Sequence, residues 1–260
     1  MLKLFIYLFF LQEFQLEKLK HLNLRGCKFI TKLPQLCTPN LETLNLSYCE
    51  NLVKIHESGE FLHKLKTWRL DYCKKLKNLP NNLMLTSLEV LETLTLSDCK
   101  NLRDLPGGIY KLQQLRVLDI PTAKLRPTCN SFDNSSCYGF LKMTSLTLVY
   151  CESIIELDLL MKPDYFPALA TLYLLGTNII TIPESISRFP RLTTLSIEDC
   201  KHLREVQGLP LSINTVYAEN CPLLDNESPS GLLNQVSLFL LSYKETLSLN
   251  ALRDLLDEKC

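Results

Sequence analysis

Residues 41–55 read LETLNLSYCENLVKI and residues 91–106 read LETLTLSDCKNLRDLP, so both stretches share one spacing of leucines with a cysteine at the ninth position. The same pattern, LxxLxLxxC, fits LKHLNLRGC at 19–27 and LKTWRLDYC at 65–73. A pattern that returns several times indicates a repeat architecture and has to be considered before any local feature.

Five further copies continue the pattern with more substitutions, at residues 115–123, 143–151, 169–177, 192–200 and 213–221. The steps between successive ninth positions are 22, 24, 26, 24, 28, 26, 23 and 21 residues. Leucine-rich repeats have a period of about 20 to 29 residues. The sequence therefore predicts nine leucine-rich repeats of irregular length.

Each copy alternates apolar and polar residues in its LxL core, which is typical of a short strand with one buried face. A turn and a proline-ended return follow, as in CKNLRDLP at 99–106. One repeat cannot bury its own leucines, so the repeats must stack with their strands parallel. The predicted fold is an α/β leucine-rich-repeat solenoid, a curved horseshoe with a parallel β-sheet on the concave face and irregular or short helical returns on the convex face. In the second repeat the predicted core residues are Leu41, Leu44, Leu46, Leu52 and Ile55.

The domain organisation follows from where the pattern holds. Residues 1–18 are predicted to begin the solenoid or to be a truncated preceding repeat, 19–224 to be the nine repeats, and 225–260 to be a partly helical C-terminal cap or the remnant of a following domain. The polar insertion at 124–142 is either a tolerated surface loop or a recognition protrusion.

Residues 1–14 resemble the front of a secretory signal but lack a small-residue cleavage site. No apolar run of about 20 residues exists, which argues against a membrane span.

Seven of the 11 cysteines occupy the ninth position of a repeat. Ala123 and Thr177 occupy the same position in two other repeats, and neither side chain ligates metal or forms a disulfide. Small size and tolerance of burial are therefore the predicted requirement, and no metal site is expected. The alternative is a series of disulfides in an oxidising compartment. Free thiols favour the cytoplasm or the nucleus.

Composition excludes several classes of function. The 28 basic and 28 acidic residues balance, and no basic run is present, so nucleic acid is not an expected partner. The four histidines are scattered and none shares a short motif with a nucleophile, which predicts no catalytic residue and no enzyme. With eight glycines and no GxxxxGK[ST] motif, the chain has no phosphate-binding loop, and no cofactor is expected.

The polar residues of the strands are predicted to face the concave surface, because side chains alternate across a strand. Tyrosine and arginine are the usual anchors of protein interfaces, so the cluster of Tyr48, Arg69 and Tyr72 is the strongest candidate. The alternative is that the tyrosines only cover neighbouring strands. The full set of predicted partner-binding residues is Arg25, Tyr48, Arg69, Asp71, Tyr72, Tyr150, Tyr173 and Tyr217.

Three stretches add a resemblance: CKNLRDLPGGIYKLQQLRVLDI at 99–120, LYLLGTNIITIPESISRFPRLTTLSIEDCKHLREVQGLP at 172–210 and SINTVYAENCPLL at 212–224. Over about residues 15–225 the chain resembles the leucine-rich-repeat region of plant intracellular immune receptors that have an N-terminal TIR domain and a central nucleotide-binding domain. The runs GTNIITIPESI and LREVQGLP are the most specific to that class.

The resemblance implies a protein-recognition module. In such receptors the repeats bind a pathogen effector or a guarded host protein, and they restrain the nucleotide-binding domain. This chain has room for neither a TIR domain nor a nucleotide-binding domain, so we expect a fragment, a truncated gene product or a gene model cut from a larger receptor.

Two other functions remain open at this stage. A secreted or membrane-receptor repeat ectodomain would be cleaved near residue 15 and glycosylated, but such repeats usually keep a steady, glycine-rich step. The substrate-binding repeats of a ubiquitin ligase typically have a helical return after the cysteine, whereas the returns here are short and end in proline.

Overall fold

The computed structural model describes residues 16–56, 62–80, 88–103, 105, 109, 111–120, 140–149, 163–182, 184–206 and 209–224. The chain divides into two compact units, of which the first contains the described residues up to Phe140 and the second those from Leu141 onward. The predicted segments 1–18 and 225–260 and the insertion at 124–142 lie largely or wholly outside the described residues. The domain boundaries therefore stay predictions.

Short strands make up the regular structure of the described ranges. In chain order they are β1 (His21–Asn23), β2 (Lys32–Leu33), β3 (Thr43–Asn45), β4 (Lys54–Ile55), β5 (Thr67–Arg69), β6 (Thr93–Thr95), β7 (Val117–Ile120), β8 (Ser145–Val149), β9 (Thr171–Leu175), β10 (Thr181–Ile182), β11 (Thr194–Ser196), β12 (Glu205–Val206) and β13 (Thr215–Tyr217).

Parallel pairing in each unit follows the repeat pattern. In the first unit β1, β3, β5, β6 and β7 are neighbours in that order, and in the second β8, β9, β11 and β13 are. The residues at the fourth position of each repeat lie opposite one another, as Leu22 with Leu44 and Leu172 with Leu195. The leucine spacing therefore predicted both the strands and their register, and the parallel-sheet solenoid is confirmed.

The core lies on one side of each sheet and consists of the repeated apolar positions. Leu41, Leu44, Leu46 and Leu52 are 0% exposed and Ile55 is 4% exposed. This column was predicted from the second repeat alone. Full burial of each such side chain contributes about 1.5–3 kcal/mol.

The returns have little regular structure. Strands β2 and β4 pair in parallel in the first unit, and β10 pairs with β12 in the second. Two 3-10 helices occur in the described returns, at Pro163–Tyr165 and Glu184–Arg188. The helical part of the predicted α/β class is thus confined to short turns within the residues described.

The second position of each repeat in the first unit alternates in charge along the sheet. Glu42 lies between Lys20 at 3.0 Å and Lys66 at 3.3 Å. Farther along, Arg116 lies 3.9 Å from Glu92. Hydrogen bonds from the two lysines lower the pKa of Glu42.

The eighth residue of each repeat has a left-handed backbone wherever it is described. Its φ is positive not only at Gly26 and Gly176 but also at Tyr48 (63°), Tyr72 (59°), Asp98 (56°), Asp199 (57°) and Asn220 (56°). Left-handed geometry costs a non-glycine residue roughly 1–2 kcal/mol. A backbone hydrogen bond helps to offset this cost, because the N–H of Tyr48 donates to the carbonyl of Asp71 in the next repeat at 2.7 Å.

The ninth residue then turns into the core, and its thiol acts as a hydrogen-bond donor. The Sγ of Cys73 donates to the carbonyl of Leu46 at 3.2 Å, and the Sγ of Cys99 donates to that of Leu70 at 3.1 Å. The same bond joins Cys49, Cys200 and Cys221 to the sixth residue of the preceding repeat. Each thiol thus satisfies a buried carbonyl of its neighbour as well as filling space.

No disulfide joins the described cysteines, which are Cys27, Cys37, Cys49, Cys73, Cys99, Cys200 and Cys221. Burial raises the pKa of Cys49 to about 11 and that of Cys99 to about 12. It also raises the pKa of Cys73. Such thiols rarely ionise near neutral pH, and the thiolate is the reactive form.

Alkylation rates should separate the thiols by burial. With iodoacetamide at pH 8, the half-exposed Cys27 and Cys37 should react first, because the reagent reaches them in the folded state. Cys49, Cys73 and Cys99 should react at least about tenfold more slowly and catch up in urea. Peptide mass spectrometry of timed samples measures the rates. Equal rates in the folded protein would contradict the buried position of the column.

Removal of one core leucine tests the register. Leu44→Ala should lower the free energy of unfolding by about 2–5 kcal/mol, because it leaves a cavity between stacked repeats. Urea unfolding followed by circular dichroism measures the change. Glu89→Ala, at an exposed position, is the control and should shift stability by less than about 0.5 kcal/mol. An unchanged midpoint for Leu44→Ala would show that the assigned core position is wrong.

Candidate protein-binding face

The candidate site is the solvent face of each sheet, defined as the side opposite the leucine core, together with the turns that follow the strands. Arg69, Tyr173 and Tyr217 lie on strands, as predicted. Tyr48 and Tyr72 do not, because they occupy the left-handed turn directly after a strand. Tyr150 lies outside the described residues.

Three of the predicted residues form a continuous stack in the first unit. The guanidinium carbon of Arg25 lies 4.2 Å from the centre of the Tyr48 ring. On the other side of that ring, the centres of Tyr48 and Tyr72 are 4.5 Å apart and the ring planes differ by 8°. The separation matches the spacing of about 4.8 Å between neighbouring strands, so the stack follows the repeat itself.

The cation of this stack is Arg25, whereas the sequence pointed to Arg69 as the partner of the two tyrosines. Arg69 is exposed on β5, and among the described residues the cation placed over a ring of the stack is Arg25 and not Arg69. Arg25 is at the seventh position of its repeat and Arg69 at the fifth, so the turn geometry decides which guanidinium reaches Tyr48. The stacked cluster therefore consists of Tyr48, Tyr72 and Arg25, and Arg25 takes the place predicted for Arg69.

Asp71, also predicted to contact a partner, already has partners within the chain. One carboxylate oxygen, Oδ2, accepts hydrogen bonds from Ser47 Oγ at 3.2 Å and Thr95 Oγ1 at 2.8 Å. The other, Oδ1, accepts from the backbone N–H of Ser97 at 3.2 Å. These bonds join three successive repeats across the solvent face, which gives Asp71 a structural role.

The next carboxylate of this series, Asp119, is less well satisfied. Its Oδ2 accepts a short hydrogen bond from Ser97 Oγ, but its Oδ1 is buried without a partner among the described residues. Burial is the main reason that the pKa of Asp119 rises to about 6, and the nearby negative charge of Asp71 adds to the rise.

In the second unit, Tyr173 and Tyr217 lie on either side of Ser196. Both are opposite this serine in the strand register, and Ser196 is fully buried while each tyrosine is half-buried. The Oγ of Ser196 donates to Glu198 Oε1 at 2.8 Å. The two tyrosines thus cover a small residue on the strand between them. This arrangement matches the alternative in which the tyrosines only cover neighbouring strands.

Metal binding and membrane spanning find no support in the described part of the chain. No group of three or more His, Cys, Asp or Glu side chains there is placed to hold a metal ion. None of its helices has the length and apolar character needed to cross a bilayer.

The burial of Asp119 predicts a pH-dependent stability. Because its folded pKa of about 6 exceeds the ordinary value of 3.8, the folded protein holds this proton more tightly, and the contribution to stability falls as the pH rises from about 4 to 6. Asp119→Asn removes the titration, keeps an acceptor for Ser97, and should raise the free energy of unfolding at pH 8 by about 1–3 kcal/mol. Near pH 4 its effect should be small.

Urea unfolding at the two pH values measures this difference. Glu89→Gln, at an exposed site, is the matched control and should show no pH-dependent gain. A less stable Asp119→Asn protein at pH 8 would show that the ionised carboxylate supports the fold.

Known proteins similar to this chain agree with the repeat architecture. The sequence model of the Leucine Rich Repeat family matches residues 18–39. Disease resistance protein RML1A of Arabidopsis thaliana is 30% identical over 232 residues, which is 84% of this chain and 21% of that protein. TMV resistance protein N of Nicotiana glutinosa is 26% identical over 237 residues, 88% of this chain and 17% of that protein.

Among solved structures, a leucine-rich-repeat protein of Leptospira interrogans aligns with 80% of this chain and 74% of its own at 17% identity and a TM-score of 0.34. The chain spans only about a fifth of the length of the curated relatives it matches. Those relatives nevertheless align with most of the repeats described above. The chain is a leucine-rich-repeat chain, and its repeats are similar to those of plant disease-resistance proteins.

Proposed function

We propose that this chain is the protein-recognition module of an intracellular plant immune receptor, which binds a pathogen effector or a guarded host protein. The stack of Arg25, Tyr48 and Tyr72 is the observation on which the proposal mainly depends. Aromatic and arginine side chains dominate the binding energy of protein interfaces, and here they are held by the repeat framework. Tyr48 is 36% exposed and Tyr72 is 37% exposed, so much of each ring remains available to a partner.

The solvent face of the first unit also extends across five neighbouring repeats. Five parallel strands of the first unit, spaced by about 4.8 Å, give a face on the order of 20 Å wide. Its polar side chains include the exposed Arg69 beside the stack. A strand framework with fixed aromatic side chains loses little conformational entropy on binding, which favours recognition by preorganisation.

Two finer parts of the proposal come from the relatives and from the thiols. The resemblance to plant receptors of the nucleotide-binding class supports a second partner, the nucleotide-binding domain, which the repeats would restrain. A reducing compartment, the cytoplasm or the nucleus, is supported by Cys27 and Cys37, neither of which forms a disulfide although both are partly exposed. Buried thiols would survive in either compartment, so these two residues are the informative ones.

Substitution of the exposed residues of this face should strongly reduce the capture of partner proteins by the chain. The tagged chain is incubated with extracts of infected and uninfected plant tissue, and bound proteins are quantified by mass spectrometry. A triple variant, Tyr48→Ala with Arg69→Ala and Tyr72→Ala, should lose the specific proteins by about tenfold or more, because interface anchors each contribute more than about 1 kcal/mol. Thermal unfolding confirms that the variant remains folded.

The control changes three exposed charged residues away from the stack: Lys32→Ala, Lys77→Ala and Glu89→Ala. It should retain the proteins captured by the unmodified chain. If the triple face variant captured the same proteins as the control, recognition through this face would be wrong.

A further inference from the structure

The stack in the first unit has a direction and an end. Arg25, Tyr48 and Tyr72 come from three successive repeats and follow one another at 4.2 and 4.5 Å. Tyr48 covers one face of Tyr72, so the second face of Tyr72 points toward the fourth repeat. There the eighth residue is Asp98, which has the same left-handed backbone with a φ of 56°.

Asp98 ends the row because its side chain is too short to continue the stack. The structure shows no cation against the second face of Tyr72 among the residues it describes. The carboxylate of Asp98, whose side chain is 20% exposed, lies 3.5 Å from Lys100, whose side chain is 68% exposed. Because the lysine end of this ion pair is largely in water, the pair is weak, and Lys100 competes poorly with a cation that arrives from a partner.

We call the space between the second face of Tyr72 and the carboxylate of Asp98 the notch. The backbone fixes the positions of both residues. The N–H of Tyr72 donates to the carbonyl of Ser97 at 2.6 Å, which ties the turn of the third repeat to that of the fourth. The ninth residues that follow, Cys73 and Cys99, are fully buried or nearly so. Because the buried cysteines and this hydrogen bond anchor the two turns, the Tyr72 ring and the Asp98 carboxylate keep their positions before any ligand binds.

We propose that the notch between Tyr72 and Asp98 binds the guanidinium group of an arginine from the partner protein. An arginine there would stack on Tyr72 as Arg25 stacks on Tyr48, so the chain already contains one example of the interaction. The carboxylate of Asp98 accepts hydrogen bonds from the guanidinium edge while the ring contacts its plane. A planar cation satisfies both groups together, whereas an ammonium is compact and cannot stack.

The proposal deepens the function proposed above and rests on it for the source of the arginine. The notch would select partners that expose an arginine, because the aromatic face and the carboxylate together require a positive and planar group. A neutral aromatic side chain would use the ring alone and would not depend on Asp98. This dependence on the carboxylate separates the two kinds of ligand in the experiment.

The test uses the whole chain and a small probe, acetyl-Gly-Arg-Gly-amide, with the Lys and citrulline forms of the same peptide. Tyrosine ring signals in NMR spectra report binding during titration to about 200 mM, because two exposed contacts of this kind together correspond to a dissociation constant of about 30–200 mM. The Arg peptide should give a saturable shift of the Tyr72 signal. The Lys peptide should bind more weakly, and citrulline, which is planar but neutral, should bind least.

Two variants locate the site and one is the matched control. Asp98→Asn and Tyr72→Leu should each weaken the Arg peptide by about two- to fivefold. Asp199→Asn makes the same change at the eighth position of another repeat, where the φ is 57° and Asn220, not a tyrosine, is the neighbour. It should leave binding unchanged. Asparagine tolerates the left-handed backbone, so both asparagine variants are expected to fold.

Equal affinity for the Arg and citrulline peptides, or a Tyr72 shift that Asp98→Asn leaves intact, would overturn the proposal. Absence of any saturable shift in the unmodified chain would overturn it as well. These outcomes do not depend on partner capture by the face. If the notch failed to bind arginine while the triple variant of Tyr48, Arg69 and Tyr72 still lost partner capture, this inference alone would be refuted.

Discussion

The left-handed backbone of the eighth residue is the constraint on which both the core and the candidate site depend. It reverses the chain at the end of each strand, so that the ninth side chain enters the core while the eighth remains at the surface. Cys73 is 0% exposed although it directly follows Tyr72, which is 37% exposed. Because the N–H of the eighth residue bonds to the next repeat, this turn also fixes the spacing at which Tyr48 and Tyr72 stack.

The repeat alignment predicted the architecture because leucine spacing encodes the register directly. Leu22, Leu44 and Leu94 were aligned by pattern and occupy equivalent strand positions in the sheet. The left-handed turn has a sequence signal of its own, because glycine, asparagine and aspartate occupy most of the described eighth positions and all of them tolerate positive φ. Tyr48 and Tyr72 obscure this signal, because tyrosine disfavours that geometry.

The candidate site could be predicted from the sequence only in part, because the polarity of a residue carries limited information. Polarity shows that a residue avoids the core, but it does not show whether the side chain is free, as at Arg69, or bonded within the sheet, as at Asp71.

The cysteines have a more specific role than their small size suggested. A thiol at the ninth position donates to a carbonyl of the preceding repeat, and this bond recurs in both units. Thr177 can replace a cysteine because its hydroxyl is also a small donor, and its Oγ1 lies 3.1 Å from the Sγ of Cys200. Small size is therefore what the position requires, as Ala123 also indicates, and a donor adds a hydrogen bond where one is present. Burial raises the pKa of Cys49, Cys73 and Cys99 and so makes these thiols poor nucleophiles, which is why they by themselves indicate little about the redox state of the compartment.

A constant backbone with variable side chains at a few positions explains how irregular repeats can be specific. At the second position, the alternation of Lys20, Glu42 and Lys66 favours the native neighbours, because a shift by one repeat would place like charges together. At the eighth position, the first unit changes from Gly26 through two tyrosines to Asp98. Since φ is nearly the same in these turns, their side chains differ in chemistry and little in placement. The order glycine, tyrosine, tyrosine, aspartate thus leaves one end of the stack to Arg25 and gives the other end a carboxylate, so the stack itself has a direction along the sheet.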